Sequence, residues 1–178
     1  MFWIGVLRIG LFVLLLQAQE LGFSSTLKMQ NSSSKYFEAA VSPAMEALLD
    51  SVHELESSSG RNPKAYIEDK FGSYGEYRIR RETYKDLQRL FPEKYGSKSF
   101  IVAMDNPKFA REAAKDYLGV IKGYLEQKNV KPSAGMLLAS YNGGMGNVAR
   151  GTMTPEAMTY ANRGLKMVTS KLGIPYGQ

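Results

Sequence analysis

The chain of 178 residues contains no cysteine and a single histidine. No disulfide framework, thiol nucleophile or cysteine-built metal site is therefore available to it, and a metal site made of histidines is excluded as well. A chain of this length can bury a proper core without covalent help, so the absence of disulfides does not weaken the expectation of a folded domain. It does not argue against export either, because many envelope proteins of bacteria fold without disulfides. No internal repeat is visible, which excludes a solenoid or an array. What the chain has in excess is positive charge: 23 Lys and Arg stand against 17 Asp and Glu, a formal net charge of +6. Such a balance suits a polyanionic setting, whether nucleic acid, anionic lipid or an acidic wall polymer. No basic helix or finger motif selects nucleic acid, and none is expected as a partner. A basic surface with no polyanion partner is the plainer alternative.

Three regions differ in composition. Residues 2–18 are almost wholly apolar and include the run Leu11-Phe12-Val13-Leu14-Leu15-Leu16. The density is that of an export signal, but the only early cation is Arg8 and the start is otherwise apolar. The run is also slightly short of the roughly 20 residues that a membrane anchor requires. Residues 1–21 are thus expected to be a cleaved signal or a retained anchor contacting the membrane. Residues 22–35 are rich in serine and read as a linker. A globular domain is expected over residues 36–178.

Within that domain the pattern is mostly helical. Ser42-Pro43 offers a cap followed by proline at the first helical position, and Met45, Leu48, Leu49, Val52 and Leu55 recur at helical spacing over residues 43–56. Residues 57–79 lose that period and hold Tyr66, Phe71, Tyr74 and Tyr77 among glycines, which predicts loops and a small hairpin. A short helix around Tyr84, Leu87, Leu90 and Phe91 stops at Pro92. Asn106-Pro107 opens a long one, whose apolar face carries Ala110, Ala113, Ala114, Tyr117, Leu118, Ile121 and Leu125. Residues 133–141 form a compact helix ended by Gly143-Gly144. Thr154-Pro155-Glu156 starts the last, which runs to about Leu172 and stops at Gly173.

Chemistry is suggested by the first helix. At about 100° per residue, Glu56 falls between Leu49 and Val52 on the apolar face, whereas Glu54 falls opposite, near Asp50 and Ala47. A carboxyl aimed at the core or at a cleft beside it has its pKa raised by burial. A carboxylic acid still protonated near neutral pH is what general-acid cleavage of a glycoside requires. The alternative is that Glu56 lies past the helix end, where the stripe no longer constrains it and water surrounds it.

Further segments bear on that choice. Glu56-Ser57 is followed by Gly60; Gly75-Glu76-Tyr77-Arg78-Ile79 comes next; then Ala139-Ser140-Tyr141-Asn142-Gly143-Gly144-Met145-Gly146-Asn147-Val148; then Pro155-Glu156 with Tyr160. In kind, order and separation this set resembles the motifs of the lytic transglycosylases of the lysozyme superfamily: Glu-Ser, Gly-x-x-Gln-Ile, Ala-Ala-Tyr-Asn-Ala-Gly-Pro-Gly-x-Val and Pro-Glu-x-x-x-Tyr. The likeness spans about residues 44–168.

The resemblance implies an α+β, mostly α-helical, lysozyme-like domain with a small loop and β region after the catalytic helix, and a groove for an aminosugar polymer. Glu56 would protonate the glycosidic oxygen between N-acetylmuramic acid and N-acetylglucosamine. As a carboxylate it would then deprotonate the muramyl 6-hydroxyl, giving a 1,6-anhydro end. No metal or organic cofactor is implied. Ser57 would hydrogen-bond near the acid, Tyr141 and Asn142 would lie beside the scissile sugar with Tyr77, and Tyr160 would point its hydroxyl at Glu56. Packing is the competing role for the tyrosines, and helix termination for Asn142. Arg78 departs from the family's glutamine. Near Glu56 it would lower the pKa of the acid; turned outward, it would hold a lactyl or peptide carboxylate of the substrate. A lysozyme-type hydrolase remains open, with Glu54, Glu68, Asp69 or Glu76 as a second acid, as does a wall-binding or structural membrane component on the same fold. The implied partner is the peptidoglycan glycan strand in the bacterial envelope. Domains of this kind serve wall remodelling, envelope-spanning secretion machines and phage virions.

Overall fold

The structure is a computed structural model that describes residues 42–175. The expected signal or anchor at residues 1–21 and the linker at 22–35 lie outside the described residues. The chain divides at Ala40, and the description concerns the C-terminal unit. No described helix is long and apolar enough to cross a membrane.

The first helix, α1 (Pro43–Ser57), begins where Ser42 accepts a hydrogen bond from the Met45 amide and proline occupies the first turn. It ends at Ser58, whose backbone is left-handed and whose N–H returns to the Glu54 carbonyl. Ala47, Leu48, Leu49 and Val52 are buried along it. A short 3-10 turn, Pro63–Tyr66, follows, capped by Asn62.

Two short antiparallel strands come next, β1 (Ser73–Tyr74) and β2 (Ile79–Arg80), with Ser73 opposite Arg80 and Tyr74 opposite Ile79. Their connection starts at Gly75, where φ is +81° and an added Cβ would stand 2.8 Å from the Met104 carbonyl oxygen. Only glycine meets both conditions.

The remaining helices are α2 (Arg81–Leu90), α3 (Pro92–Tyr95), α4 (Phe100–Asp105), α5 (Pro107–Gln127), α6 (Ala134–Gly143), α7 (Met145–Ala149) and α8 (Pro155–Leu172). Asn106, Ser133 and Thr154 cap α5, α6 and α8 through their side chains, and Gly173 closes α8 in the left-handed conformation. Pro92, expected only to stop a helix, stops α2 and opens α3. Proline at a first helical position needs no N–H, so both roles are compatible.

Helix α5 is the central element: Ala110, Ala113, Ala114, Leu118, Ile121 and Leu125 have no exposed surface. Each large aliphatic side chain buried this way contributes about 1.5–3 kcal/mol. Helices α1, α6 and α8 meet at Gly164, where an added Cβ would lie 2.7 Å from Leu138 Cδ1 and 3.2 Å from Leu55 Cδ1. The same helix pair, α6 and α8, closes at Gly143, where a Cβ would stand 2.6 Å from that of Ala157. This tight seam matters because α1, α6 and α8 carry Glu56, Tyr141 and Tyr160. The architecture is mostly helical with one small two-stranded sheet.

Candidate functional site

Glu56 occupies the last turn of α1 and keeps part of its accessible surface. Burial nevertheless raises its carboxyl to about 7, against the hydrogen bond from Tyr160 and the charges of Arg78 and Arg80, while Asp69 pushes it further up. The side chain thus keeps some contact with solvent while most of it is desolvated. The Tyr160 hydroxyl donates to Glu56 Oε1 at 2.8 Å, spanning from α8 to α1. Glu54, on the other face, accepts from the Ser59 hydroxyl at 2.6 Å and pairs with Arg61 at 3.1 Å. The Ser59 bond leads the effects that hold its carboxyl below the ordinary range. Two acids two residues apart thus have opposite chemistry.

Tyrosines line up behind Glu56. The Tyr141 hydroxyl donates to the Tyr77 carbonyl at 2.8 Å, and its ring is tilted against Tyr117 with 5.3 Å between centroids. Burial, then the charge of Glu56, holds the Tyr141 phenol well above its ordinary value, and the same two causes act on Tyr160. Both phenols therefore stay protonated and act as donors near neutral pH.

The ring of Tyr77 faces inward instead. It is 2% exposed, stacks on His53 at 4.8 Å and receives a hydrogen bond from Arg111. What Tyr77 gives the site is its carbonyl.

Arg78 lowers the carboxyl of Glu56, as expected of an arginine near it, although its guanidinium is bonded elsewhere. Its backbone is left-handed, with φ of +48°. Its guanidinium pairs with Asp69 at 2.6 Å and donates to the carbonyls of Lys64, Ala65 and Ile67. The side chain ties the 64–69 loop to the hairpin, and its charge, shared with Asp69, lowers Glu56 only as a secondary effect of the surroundings.

Ser57 is buried; its hydroxyl donates to the His53 carbonyl and accepts from the Gly60 amide, closing the end of α1. Asn142 is exposed on the last turn of α6. Among the described residues, neither hydrogen-bonds to the acid. The structure therefore brings Glu56, Tyr160 and Tyr141 together, adds Tyr77 through its backbone, and gives Ser57 and Arg78 supporting positions.

The four carboxylates considered as a second acid are all engaged. Glu54 has Arg61, and Glu68 pairs with Arg81 at 2.7 Å. Asp69 accepts from Arg78 and from the amides of Phe71 and Ser73. Glu76 accepts from the Tyr66 hydroxyl at 2.7 Å and lies 2.8 Å from His53 Nε2, a contact close enough for an ion pair but not aligned as a hydrogen bond.

Sequence reasoning missed Tyr117, assigned to the apolar face of the long helix, and Arg80, whose charge reaches both Glu56 and Tyr117. It also missed the His53–Glu76–Tyr66 cluster. In β2, Ile79 is buried and Arg80 turns outward. Comparison of the chain with protein-family models, with curated proteins and with solved structures gives no match.

Proposed function

We propose that this chain is a lytic transglycosylase on a lysozyme-like domain, cleaving peptidoglycan between N-acetylmuramic acid and N-acetylglucosamine with Glu56 as its single acid and base. The observation that carries the reading is the Glu56 carboxyl, raised to about 7 by burial yet still in contact with solvent and held by Tyr160. A group with a pKa close to the working pH serves well both as donor and, once ionised, as acceptor.

Glu56 gives its proton to the glycosidic oxygen, and the bond from that oxygen to the muramyl anomeric carbon breaks. The N-acetylglucosamine piece leaves with a hydroxyl. The Glu56 carboxylate then takes the proton of the muramyl 6-hydroxyl while that oxygen bonds to the anomeric carbon. No water is consumed, and Glu56 ends protonated as it began. The Tyr160 hydrogen bond steadies the carboxylate between the two steps. Most glycosidases that hydrolyse use a second carboxylate, and the engagement of Glu54, Glu68, Asp69 and Glu76 with cations or donors supports the route without one.

The ordered motifs agree with the reading, and a basic chain suits an acidic wall. By the same proposal the protein works in the bacterial envelope or within a virion, reached through residues 1–21. Mass spectrometry of the muropeptides released from purified walls tests the route. A 1,6-anhydro end, one water lighter than a reducing end, is expected; reducing ends alone would make the chain a hydrolase, and no release would make it a wall-binding protein.

A further inference from the structure

The His53–Glu76–Tyr66 cluster takes no part in the chemistry proposed for Glu56, yet it is built against the end of the helix that carries the acid. His53 lies one turn of α1 before Glu56. Its Nε2 stands 2.8 Å from Glu76 Oε2 in the hairpin turn, with both side chains mostly buried. The other Glu76 oxygen accepts from the Tyr66 hydroxyl at 2.7 Å. The imidazole also lies flat on the ring of Tyr77, with 4.8 Å between centroids and 14° between planes.

The loop after α1 is shaped to admit this carboxylate. At Gly60 φ is +79°, and an added Cβ would stand 2.7 Å from Glu76 Oε1. The Gly60 amide donates to the Ser57 hydroxyl, which donates to the His53 carbonyl. The residues that close the helix therefore also receive the hairpin. Burying an ion pair seldom adds stability, because lost hydration offsets the attraction, and an apolar contact would join the two elements as firmly. Stability alone does not account for the pair.

The contacts run in a closed circuit. His53 ties α1 to Glu76, and the next residue, Tyr77, accepts at its carbonyl the hydroxyl of Tyr141 on α6, at 2.8 Å. Helix α6 closes on α8 at Gly143 and Ala157. Tyr160 on α8 then returns to α1 at Glu56 Oε1, at 2.8 Å. Opening the circuit between His53 and Glu76 frees the hairpin turn, and with it the carbonyl that holds Tyr141.

We propose that His53 and Glu76 are positioning residues for Glu56, clamping the hairpin turn to the last turn of α1 so that Tyr141 and Tyr160 stay fixed around the acid. The inference takes Glu56 to be the acid of the proposed cleavage, and the positioning itself is read apart from cutting. Burial is the largest cause of the raised Glu56 carboxyl, so a loosened turn admits water and lowers it.

Carbon-13 NMR of full-length protein labelled at the glutamate carboxyls follows the titration of Glu56, identified by the signal that Glu56→Gln removes. The wild type should titrate at about 7. Glu76→Gln keeps an acceptor for Tyr66, and His53→Phe keeps a ring on Tyr77; His53→Gln takes its place where the phenylalanine does not fold. Each variant should move the midpoint down by about 1 pH unit, and the double variant no further. Direct charge effects predict otherwise: loss of a carboxylate lowers Glu56, whereas loss of an imidazolium raises it. Shifts in opposite directions, additive shifts or no shift overturn the clamp. That holds even where melting temperatures fall, because a purely structural pair lowers stability and leaves the acid as it was. Wall cleavage is scored separately over a range of wall concentrations. In each variant kcat should fall about tenfold to a hundredfold with KM unchanged; a loss confined to KM also overturns the proposal. If the wild type releases no muropeptides while both variants lower Glu56, the transglycosylase reading fails and the positioning role stands. If the wild type cuts and Glu56 titrates in the variants as before, the positioning role alone fails.

Discussion

Burying the carboxyl of Glu56 costs the fold stability, and the cost depends on pH. Below 4.5, the ordinary value for glutamic acid, the folded and unfolded chains are both protonated and there is no penalty. Between 4.5 and about 7 the unfolded chain releases its proton and the folded chain does not, so stability falls as pH rises. Above the folded value the penalty levels off, at about 3 kcal/mol as an upper limit. Glu56→Gln has no such proton to release. Its melting temperature should match that of the wild type near pH 4 and exceed it near pH 8. Tyr160→Phe removes a hydrogen bond that favours the carboxylate, so in that variant the window should extend to higher pH. Melting curves across this range check both; a difference between Glu56→Gln and the wild type that does not change with pH would mean that Glu56 is solvated. The sequence left Glu56 open between the apolar face and a solvated position past the helix end, and α1 includes it within its last turn. The fate of Arg78 was not legible. Asp69 and three carbonyls reach its guanidinium only because the turn puts Arg78 in a left-handed conformation, and no periodicity encodes that.

At the scale of elements, the long helices were readable and the short ones were not. Ser42-Pro43, Asn106-Pro107, Ser133 and Thr154-Pro155 mark starts that the structure uses, with side-chain caps at all four. Pro63–Tyr66, α3, α4 and α7 are each too short to display a helical period, and their existence depends on tertiary packing. The small hairpin was expected from the glycines and aromatics of residues 57–79, but its two-residue strands offer too little alternation to place. The α6–α8 seam is where element packing reaches the site, since α6 carries Tyr141 and α8 carries Tyr160. The resembled motif has alanine where this chain has Gly143, and the structure gives a reason: the added methyl would stand 2.6 Å from Ala157 Cβ. Gly143→Ala should therefore part the two helices and destabilise the protein by about 1–3 kcal/mol. Wall cleavage should fall as Tyr160 moves off Glu56. Chemical denaturation together with activity measures both. Unchanged stability would show that the seam has slack.

Across the whole molecule, charge pairs hold α1 in place. Arg111 on α5 bonds to Glu46 and lies 2.9 Å from Asp50, and Lys171 on α8 reaches Asp50 at 3.1 Å. Each exposed pair contributes little, up to about 1 kcal/mol, but together they orient the helix that ends in the acid. The excess of positive charge then has a different use, adsorption to an acidic wall, which salt screens. Cleavage must therefore be measured at one ionic strength. Purified peptidoglycan, followed by loss of turbidity with wild type, Glu56→Gln and Glu54→Gln, tests the proposed role of the buried acid most directly. The wild type and Glu54→Gln should clear the suspension at similar rates. Glu56→Gln should be slower by at least about 10²–10⁴-fold, the usual contribution of a positioned general acid, while remaining folded and bound to the wall. Clearing by Glu56→Gln at the wild-type rate, or its loss in Glu54→Gln alone, would contradict the assignment of Glu56 as the catalytic acid.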